Sequence, residues 1–240
     1  MRLEDLRVRI YADGADRQQM LAAYRNPLVR GFTTNPTLMR AAGVADYEAF
    51  ARDILAAIPD RPISFEVLAD DFAGMERQAR RIASWGEQVF VKIPITDTRG
   101  QSSCPLVERL THSGVQVNVT ALLTLEQVRA VARAVAGGGP CYVSVFAGRI
   151  ADTGRDPVPL MAAALALLRP CPAAQLLWAS PREVLNIFQA DAIGCPIITV
   201  TPPLLQKLEL AGRDLERLSL ETVAMFRRDA QAAGYELGSP

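Results

Sequence analysis

The chain has 240 residues, half of them hydrophobic, and its 26 basic and 26 acidic residues balance to a formal net charge of zero. This length and composition suffice for the buried core of one domain, which we expect to span residues 1–240. Zero net charge excludes a long-range attraction to nucleic acid or to an anionic membrane, so any anion must be recognised locally. The sequence also lacks a run of about 18 apolar residues, so we expect no membrane span.

The histidine and cysteine content argues against a metal or disulfide framework. The single histidine, His112, follows a helical pattern, and we expect it at a helix C-terminus away from the strand ends. The cysteines lie far apart without metal-type spacing, which favours reduced, partly buried thiols. Residues 1–13 carry charges where a signal peptide needs an apolar stretch, so we expect a cytoplasmic protein. We also expect no cofactor. The cysteines are Cys104, Cys141, Cys171 and Cys195.

Short apolar runs alternate with helical patterns along the whole chain. The runs are rich in valine and isoleucine, as expected of parallel strands that are buried on both faces. Eight strands are predicted, at 7–12, 30–34, 63–68, 88–93, 115–120, 141–146, 175–179 and 197–201.

The segments between these runs carry helix-start signals. Helices are predicted at 46–58 after Asp46, at 71–84 after Asp71, at 124–136 with a Thr124–Gln127 capping box, and at 157–169 with Pro157 in the first turn. A further long helix is predicted at 213–235, either packed on the sheet or reaching a neighbouring subunit. Eight strand–helix units in this length predict an α/β fold, a single (β/α)8 TIM barrel with an additional C-terminal helix. The alternative is an open doubly wound sheet, but no Gly-rich phosphate loop follows the first strand.

Polar residues interrupt or end nearly every predicted strand. In such barrels the chemistry lies at the carboxyl ends of the strands, and burying these groups without partners would cost roughly 1–3 kcal/mol each. Their equivalent positions therefore predict a polar cavity at one end of an apolar barrel. The residues are Asp13, Asn35, Glu66, Lys92, Asn118, Thr120, Ser144 and Ser180.

Lys92 is the sharpest of these signals. Only Lys92 and Lys207 are lysines, and Lys92 lies inside the apolar strand VFVKIP. Desolvation disfavours the ammonium and frees the amine lone pair, as a Schiff-base nucleophile requires. The alternatives are that the side chain extends to solvent or pairs with a carboxylate.

Two carboxylates are candidates for proton transfer. Glu66 is placed mid-strand in ISFEV and Asp13 at the end of the first strand. A Schiff-base cleavage of a carbon–carbon bond needs a base for a hydroxyl proton and an acid for the departing water. Glu66 could instead be a salt-bridge partner, and Asp13 a turn or cap residue.

Arg149 and Arg182 indicate an anion site. Arg182 lies in ASPRE, where Ser180, Pro181 and Glu183 predict a helix start, and a cation there becomes favourable when an anion also binds. Such a position after the seventh strand suits a phosphate in a barrel. Each arginine could equally be a solvated surface residue.

At these residues the sequence resembles the transaldolase family, including the fructose-6-phosphate aldolases, from about Val8 to Leu210. The resemblance implies that Lys92 forms the Schiff base, that Asp13 is the acid/base of cleavage, and that Glu66 shuttles protons through a water held by Thr120. It also implies groups that bind the substrate's hydroxyls and phosphate. Small members of the family are often pentamers or decamers, so the resemblance further implies a homo-oligomer. The matching segments are TTNPT (33–37), SFEV (64–67), VKIP (91–94), VNVT (117–120), SVFAGR (144–149) and ASPR (179–182). The implied hydroxyl-binding residues are Asn35, Asn118 and Ser144, and Phe146 is a further implied substrate-binding residue. The implied phosphate-binding residues are Arg149, Ser180 and Arg182.

The resemblance implies a transferase that moves dihydroxyacetone from a sugar phosphate such as fructose 6-phosphate to an aldose, in carbohydrate metabolism of the pentose phosphate kind or a specialised pathway. The aldolase branch has glutamine where Glu66 stands and tyrosine where Phe146 stands, so both residues favour transfer over release of free dihydroxyacetone. A barrel that binds sugar phosphates without catalysis is the third alternative. Val145, Ala147 and the proline of ASPR depart from common family residues, which bears on the acceptor.

Overall fold

The computed structural model describes residues 3–237. Eight parallel strands close into a barrel in which each strand pairs with the next along the chain and the last pairs with the first. The predicted (β/α)8 barrel is therefore confirmed, and the open-sheet alternative is wrong. The strands are β1 (Arg9–Asp13), β2 (Val29–Thr33), β3 (Ile63–Glu66), β4 (Val89–Pro94), β5 (Val117–Leu122), β6 (Cys141–Val145), β7 (Ala174–Trp178) and β8 (Ile197–Val200).

At least one helix follows every strand, and a longer helix lies close to the end of the described chain. Short 3-10 helices lie at Leu3–Asp5 and Leu208–Leu210. The α-helices are α1 (Arg17–Tyr24), α2 (Pro36–Ala41), α3 (Tyr47–Ala57), α4 (Phe72–Ala83), α5 (Cys104–His112), α6 (Leu125–Ala134), α7 (Ala147–Ala151), α8 (Pro157–Leu168), α9 (Leu185–Ala192), α10 (Pro202–Lys207) and α11 (Leu215–Ala232).

The predicted helix caps are confirmed. The side chains of Asp46, Asp71 and Asp156 each accept a backbone N–H in the first turn of α3, α4 and α8. Thr124 and Gln127 form the capping box of α6, each side chain bonding the other residue's backbone. These bonds satisfy N–H groups that have no intrahelical partner, so local sequence fixes where these helices begin.

The predicted strand bounds agree with the structure to within two residues. Strand β3 ends two residues before the predicted position. Glu66 is therefore the last residue of β3 and not a mid-strand residue. The C-terminal helix was predicted at 213–235 and spans Leu215–Ala232. His112 is the last residue of α5, as predicted.

The predicted helix start at Ser180 is wrong. Helix α9 begins at Leu185, and Ser180 has a φ of 59°, in the left-handed region. The side-chain oxygen of Asn186 accepts the backbone N–H groups of Arg182 (2.8 Å) and Glu183 (3.2 Å). These contacts replace the predicted serine cap and hold residues 180–183 as a turn.

The lower half of the barrel interior is filled by aromatic and aliphatic side chains. The rings of Phe90 and Tyr142 stack with centroids 3.9 Å apart, and the hydroxyls of Tyr11 and Tyr142 are 2.8 Å apart. Tyr11 packs so closely on β2 that a Cβ at Gly31 would lie 2.6 Å from its ring, which explains the glycine. Together with Leu177 and Ile197, these residues form a floor across the barrel.

A second apolar layer lies between the barrel and its helices. Outward-facing strand residues such as Val91 and Val143 are fully buried against helix residues such as Ile54, Met75 and Val131. Burial of each such side chain contributes roughly 1.5–3 kcal/mol. This layer holds the strands in register, so that the side chains at their ends are placed accurately.

The four cysteines are free thiols, and all but Cys104 are buried, as predicted. No helix within residues 3–237 is both long enough and apolar enough to cross a membrane. Helix α11 has no buried residue, and its apolar side chains include Leu220 at 70% and Phe226 at 62% exposure. The expected homo-oligomer remains a prediction.

Candidate active site

A polar layer lies directly above the apolar floor, at the carboxyl ends of the strands. Side chains two residues apart on a strand point to the same side. Asp13 therefore lies one layer above Tyr11, Lys92 above Phe90, and Ser144 above Tyr142. The layer surrounds a cavity of about 100 Å³ lined by Asp13, Thr33, Asn35, Lys92, Thr120, Ser144, Phe146, Arg149, Ala179, Ser180 and Thr199.

Lys92 projects into this cavity from the middle of β4 and is only 5% exposed. Its Nζ donates a hydrogen bond to the Thr34 carbonyl oxygen (2.8 Å) and lies 3.2 Å from Glu66 Oε2. The alternative that Lys92 extends to solvent is therefore wrong, whereas the alternative of a carboxylate partner is confirmed. The amine nevertheless faces the cavity, with a carboxylate beside it.

Glu66 owes its position to the register of β3 and β4, which places it directly across from Lys92. Its side chain is 16% exposed, so water can still reach the carboxylate. Its backbone N–H and carbonyl both bond the hydroxyl of Tyr47, at 2.8 Å each. Glu66 is thus a salt-bridge partner of Lys92 and also a carboxylate in contact with the candidate nucleophile.

Asp13 ends β1 and lies in the same cavity. Burial raises the pKa of Asp13, while the nearby Lys92 charge and the hydrogen bond from Thr33 act in the opposite direction. Asp13 does not cap the following helix, because Asp16 caps α1. The cap alternative is therefore wrong, and a buried carboxyl group with a raised pKa beside the candidate nucleophile is a candidate for proton transfer.

Two threonines connect to Asp13. Thr33 Oγ1 donates to Asp13 Oδ1 (2.7 Å) and lies 2.5 Å from Thr199 Oγ1. A hydroxyl has one proton, so when Thr33 donates to the carboxylate, Thr199 must donate to Thr33. This chain orients one carboxylate oxygen of Asp13. No local pattern could reveal this pair, because Thr199 is 166 residues from Thr33.

Thr120 lies at an irregularity of β5. The register with β6 shifts between Val119 and Leu122, and Ala121 has a φ of 64°. Such bulges re-aim side chains and are common next to active sites. Thr120 Oγ1 is buried and has no hydrogen-bond partner among the described residues. An unpaired hydroxyl in the cavity wall is a suitable place to hold a water.

Asn118 and Ser144 form one hydrogen-bonded network. Ser144 donates to Asn118 Oδ1 (2.7 Å), and Asn118 donates to Ser64 Oγ (3.0 Å). Asn118 is fully buried and does not line the cavity, so Ser144 is the member that reaches the lining. Asn35 caps α2 through its oxygen, which accepts the Leu38 N–H (2.9 Å). That bond fixes the amide, whose NH₂ group remains to donate.

The predicted anion-binding residues divide into two groups. Arg149 and Ser180 line the cavity, and the Arg149 guanidinium lies over the Phe146 ring, 5.2 Å from its centroid. Arg182 does not line the cavity and forms a two-point ion pair with Asp152, including a 2.9 Å bond from Nε. The hydrogen bond from Arg182 lowers the pKa of Asp152, so this carboxylate stays charged.

A close backbone approach joins the Arg149 segment to Ser180. An ideal Cβ at Gly148 would lie 1.5 Å from the Ser180 carbonyl oxygen, so no residue with a side chain fits there. Gly148, Asp152 and Tyr47 were not predicted from the sequence, although each contacts a predicted site residue. Within residues 3–237 no three His, Cys, Asp or Glu side chains are grouped to hold a metal ion.

The chain is similar to known proteins over most of its length. Residues 10–237 match the family described as Transaldolase/Fructose-6-phosphate aldolase. A probable transaldolase from Dehalococcoides mccartyi is 33% identical over 202 residues, covering 84% of this chain and 90% of the relative. A probable transaldolase from Hyphomonas neptunium is 31% identical over 231 residues, covering 96% of this chain and 100% of the relative.

Solved structures support the fold alone. A mandelate oxidase with (S)-2-phenylpropionate has a TM-score of 0.56 at 20% identity, covering 93% of this chain and 73% of that one. The 3-hexulose-6-phosphate synthase from Salmonella typhimurium has a TM-score of 0.56 at 13% identity, covering 81% of this chain and 89% of that one. The sequence matches and the barrel together establish that this chain belongs to the transaldolase/fructose-6-phosphate aldolase family and is an aldolase-type enzyme.

Proposed function

We propose that the protein is a transaldolase that transfers a dihydroxyacetone unit from a ketose phosphate, such as fructose 6-phosphate, to an aldose through a Schiff base on Lys92. The observation that carries the proposal is a buried amine facing a cavity, 3.2 Å from Glu66 Oε2. The neighbouring carboxyl of Asp13 lines the same cavity. One amine and two carboxyl groups can supply the nucleophile and the proton-transfer groups for imine formation followed by cleavage.

Imine formation uses the Lys92 and Glu66 end of the cavity. The uncharged Lys92 amine attacks the ketone carbon of the donor, and the resulting hydroxyl leaves as water after it receives a proton. Glu66 lies against the amine and is the group placed to pass protons. A water on the unpaired Thr120 hydroxyl would relay them, and the same groups in reverse hydrolyse the imine.

Carbon–carbon cleavage uses Asp13. Its carboxylate removes the C4 hydroxyl proton of the bound ketose, the C3–C4 bond breaks, and its electron pair moves into the imine to give an enamine. The aldose phosphate leaves as an aldehyde. An acceptor aldehyde then adds to the enamine and takes the proton back from Asp13. The Asp13 carboxyl lines the cavity, where it can take up this proton and return it.

Substrate groups would be held by the rest of the cavity wall. Asn35 and Ser144 line the cavity and would bind the dihydroxyacetone hydroxyls, and the hydrogen bond to Asn118 orients Ser144. Arg149 and Ser180 would receive the phosphate. Arg182 would join them only after leaving Asp152, an exchange that costs little because exposed ion pairs contribute about 0.2–1 kcal/mol.

Phe146 favours transfer over release of free dihydroxyacetone. Its ring lines the cavity and has no proton to give to the enamine. The enamine would therefore persist until an acceptor aldehyde arrives. The second candidate, an aldolase that releases dihydroxyacetone, needs a proton donor near this position. Fructose 6-phosphate without acceptor should give little free dihydroxyacetone, and Phe146→Tyr should increase it.

Borohydride trapping tests the proposal. Fructose 6-phosphate plus borohydride should add the mass of a reduced dihydroxyacetone adduct to Lys92. Lys207→Ala is the matched control, because Lys207 is the only other lysine and lies exposed in α10. Trapping should vanish in Lys92→Ala and persist in Lys207→Ala. Turnover or trapping by Lys92→Ala would reject the mechanism, and stabilisation by fructose 6-phosphate without any adduct would favour a binding protein.

A further inference from the structure

The hydroxyl of Tyr47 bonds both backbone polar groups of Glu66. Tyr47 is the first residue of α3, 19 residues before Glu66 in the chain. Its hydroxyl donates to the Glu66 carbonyl oxygen and accepts from the Glu66 N–H, each at 2.8 Å. A single hydroxyl can do both, because it has one proton and two lone pairs.

These bonds replace a missing part of the sheet. The ladder between β2 and β3 has only two pairs, Phe32 with Ile63 and Thr33 with Ser64. Its last rung is the hydrogen bond from the Thr34 N–H to the Ser64 carbonyl, after which the chain turns into α2. Glu66 would bond the next residues of β2, had that strand continued. Tyr47 supplies the donor and the acceptor instead.

The opposite edge of β3 is held by the strand that carries the candidate nucleophile. Glu66 is in register with Lys92, and the Val67 N–H donates to the Lys92 carbonyl oxygen (3.1 Å). The end of β3 is thus fixed on one side by β4 and on the other by Tyr47. Without the hydroxyl, only the β4 side would hold the backbone from which the Glu66 carboxylate extends.

The ring of Tyr47 is itself anchored. It meets Phe65 and Trp85 edge to face, with centroids 6.4 Å and 5.9 Å away. Burial raises the pKa of Tyr47, so the hydroxyl keeps its proton across the working range of pH. Edge-to-face packing restrains the ring, and the ring restrains the hydroxyl.

We propose that Tyr47 is a positioning residue for catalysis, which holds the end of β3 so that the Glu66 carboxylate meets the Lys92 amine. The inference rests on the proposed function, in which Glu66 passes protons during imine formation. Displacement of a catalytic group by about 1 Å can reduce a rate about a hundredfold, and one lost backbone anchor should give part of that effect.

A double-mutant cycle tests the inference. Wild type, Tyr47→Phe, Glu66→Gln and the double variant are mixed with dihydroxyacetone and borohydride, and the rate of adduct formation at Lys92 is measured at saturating ketone. Tyr24→Phe is the matched control, because its hydroxyl donates to Asp60 on the exposed surface. Circular dichroism and thermal unfolding report the folded fraction of each variant.

Tyr47→Phe should slow adduct formation about tenfold with the half-saturating ketone concentration changed less than about twofold, and Tyr24→Phe should change neither. In the Glu66→Gln background Tyr47→Phe should have almost no further effect. Equal slowing in both backgrounds, or no slowing in either, would overturn the inference. Where Tyr47→Phe does not fold, Trp85→Phe loosens the same ring, keeps the hydroxyl and is judged by the same cycle. A wild-type protein that never forms the adduct would refute the proposed function and the inference together, whereas normal trapping by Tyr47→Phe would refute the inference alone.

Discussion

Gly148→Ala should lower both the stability of the protein and its affinity for phosphorylated substrates. Gly148 lies in the first turn of α7, where its Cα faces the backbone of Ser180. An added Cβ would lie 1.5 Å from the Ser180 carbonyl oxygen and 2.6 Å from its carbon, whereas real Cβ contacts are at least about 3.0 Å. The two segments must therefore separate by more than an ångström, since the obstacle is backbone and cannot rotate away.

The size of the effect follows from this separation. Overpacking costs about 1–3 kcal/mol, and a backbone obstacle places Gly148→Ala at the upper end. For a chain of this size each kcal/mol lowers Tm by roughly 2–4 °C, so we expect a fall of about 6–12 °C. Arg149 and Ser180 lie on the two separating segments, so kcat/KM for fructose 6-phosphate should fall about a hundredfold.

Thermal unfolding and steady-state kinetics measure the two effects. Gly86→Ala is the control, because a Cβ there would lie 3.8 Å from its nearest neighbour, an ordinary contact. Alanine is the better helix former by about 1 kcal/mol, so without the close approach Gly148→Ala would raise Tm. A variant at least as stable as the parent would refute the packing argument, and an unchanged kcat/KM would refute its link to the anion site.

Three further predictions concern groups around the cavity. Burial raises the pKa of Asp13, so the folded protein binds this proton more tightly than the unfolded chain does. The stability that Asp13 contributes is therefore present below its unfolded pKa of 3.8 and is lost as the pH rises through the raised pKa. In urea unfolding Asp13→Asn should therefore be more stable than the parent at pH 7, with the difference vanishing as the pH falls below the unfolded value of 3.8, and a less stable variant at pH 7 would contradict this. Thr120→Val removes an unpaired hydroxyl, so Tm should stay the same or rise while adduct formation slows, and a large fall in Tm would mean that the hydroxyl has a partner. Asp152→Asn frees Arg182 from its ion pair, so KM for fructose 6-phosphate should fall about two- to fivefold while dihydroxyacetone trapping is unchanged, and a raised KM would contradict the exchange.

The barrel and the polar layer could be predicted from sequence because their signals are local. Buried parallel strands require apolar runs, and helix caps require particular side chains at fixed offsets, as at Thr124 and Gln127. Lys92 could be recognised because a lysine is almost never buried in an apolar strand unless its charged group has a partner. The structure places this residue with Asp13 and Thr120 around one cavity, although their roles remain predictions.

The errors arose where distant contacts override a local pattern. Ser180, Pro181 and Glu183 form a plausible helix start, but the approach of Gly148 and the bonds from Asn186 hold that segment as a turn. The ion pair of Arg182 joins residues 30 positions apart. No local pattern reports such a contact.

Tyr47 was missed for a related reason. A tyrosine on the apolar face of a helix resembles any other core residue, and only the bonds of its hydroxyl to Glu66 distinguish it.

The aromatic floor closes one end of the cavity. Tyr11, Phe90 and Tyr142 close the barrel from below, so in the proposed reaction sugar, aldehyde and water would all enter and leave at the loop end. An acceptor must therefore arrive by the route that the first product has just vacated. Access at the loop end, and not the packing beneath it, would then decide which aldehyde adds to the enamine. Exchange of the loops around Phe146 and Ser180 would therefore change the acceptor without disturbing the barrel below.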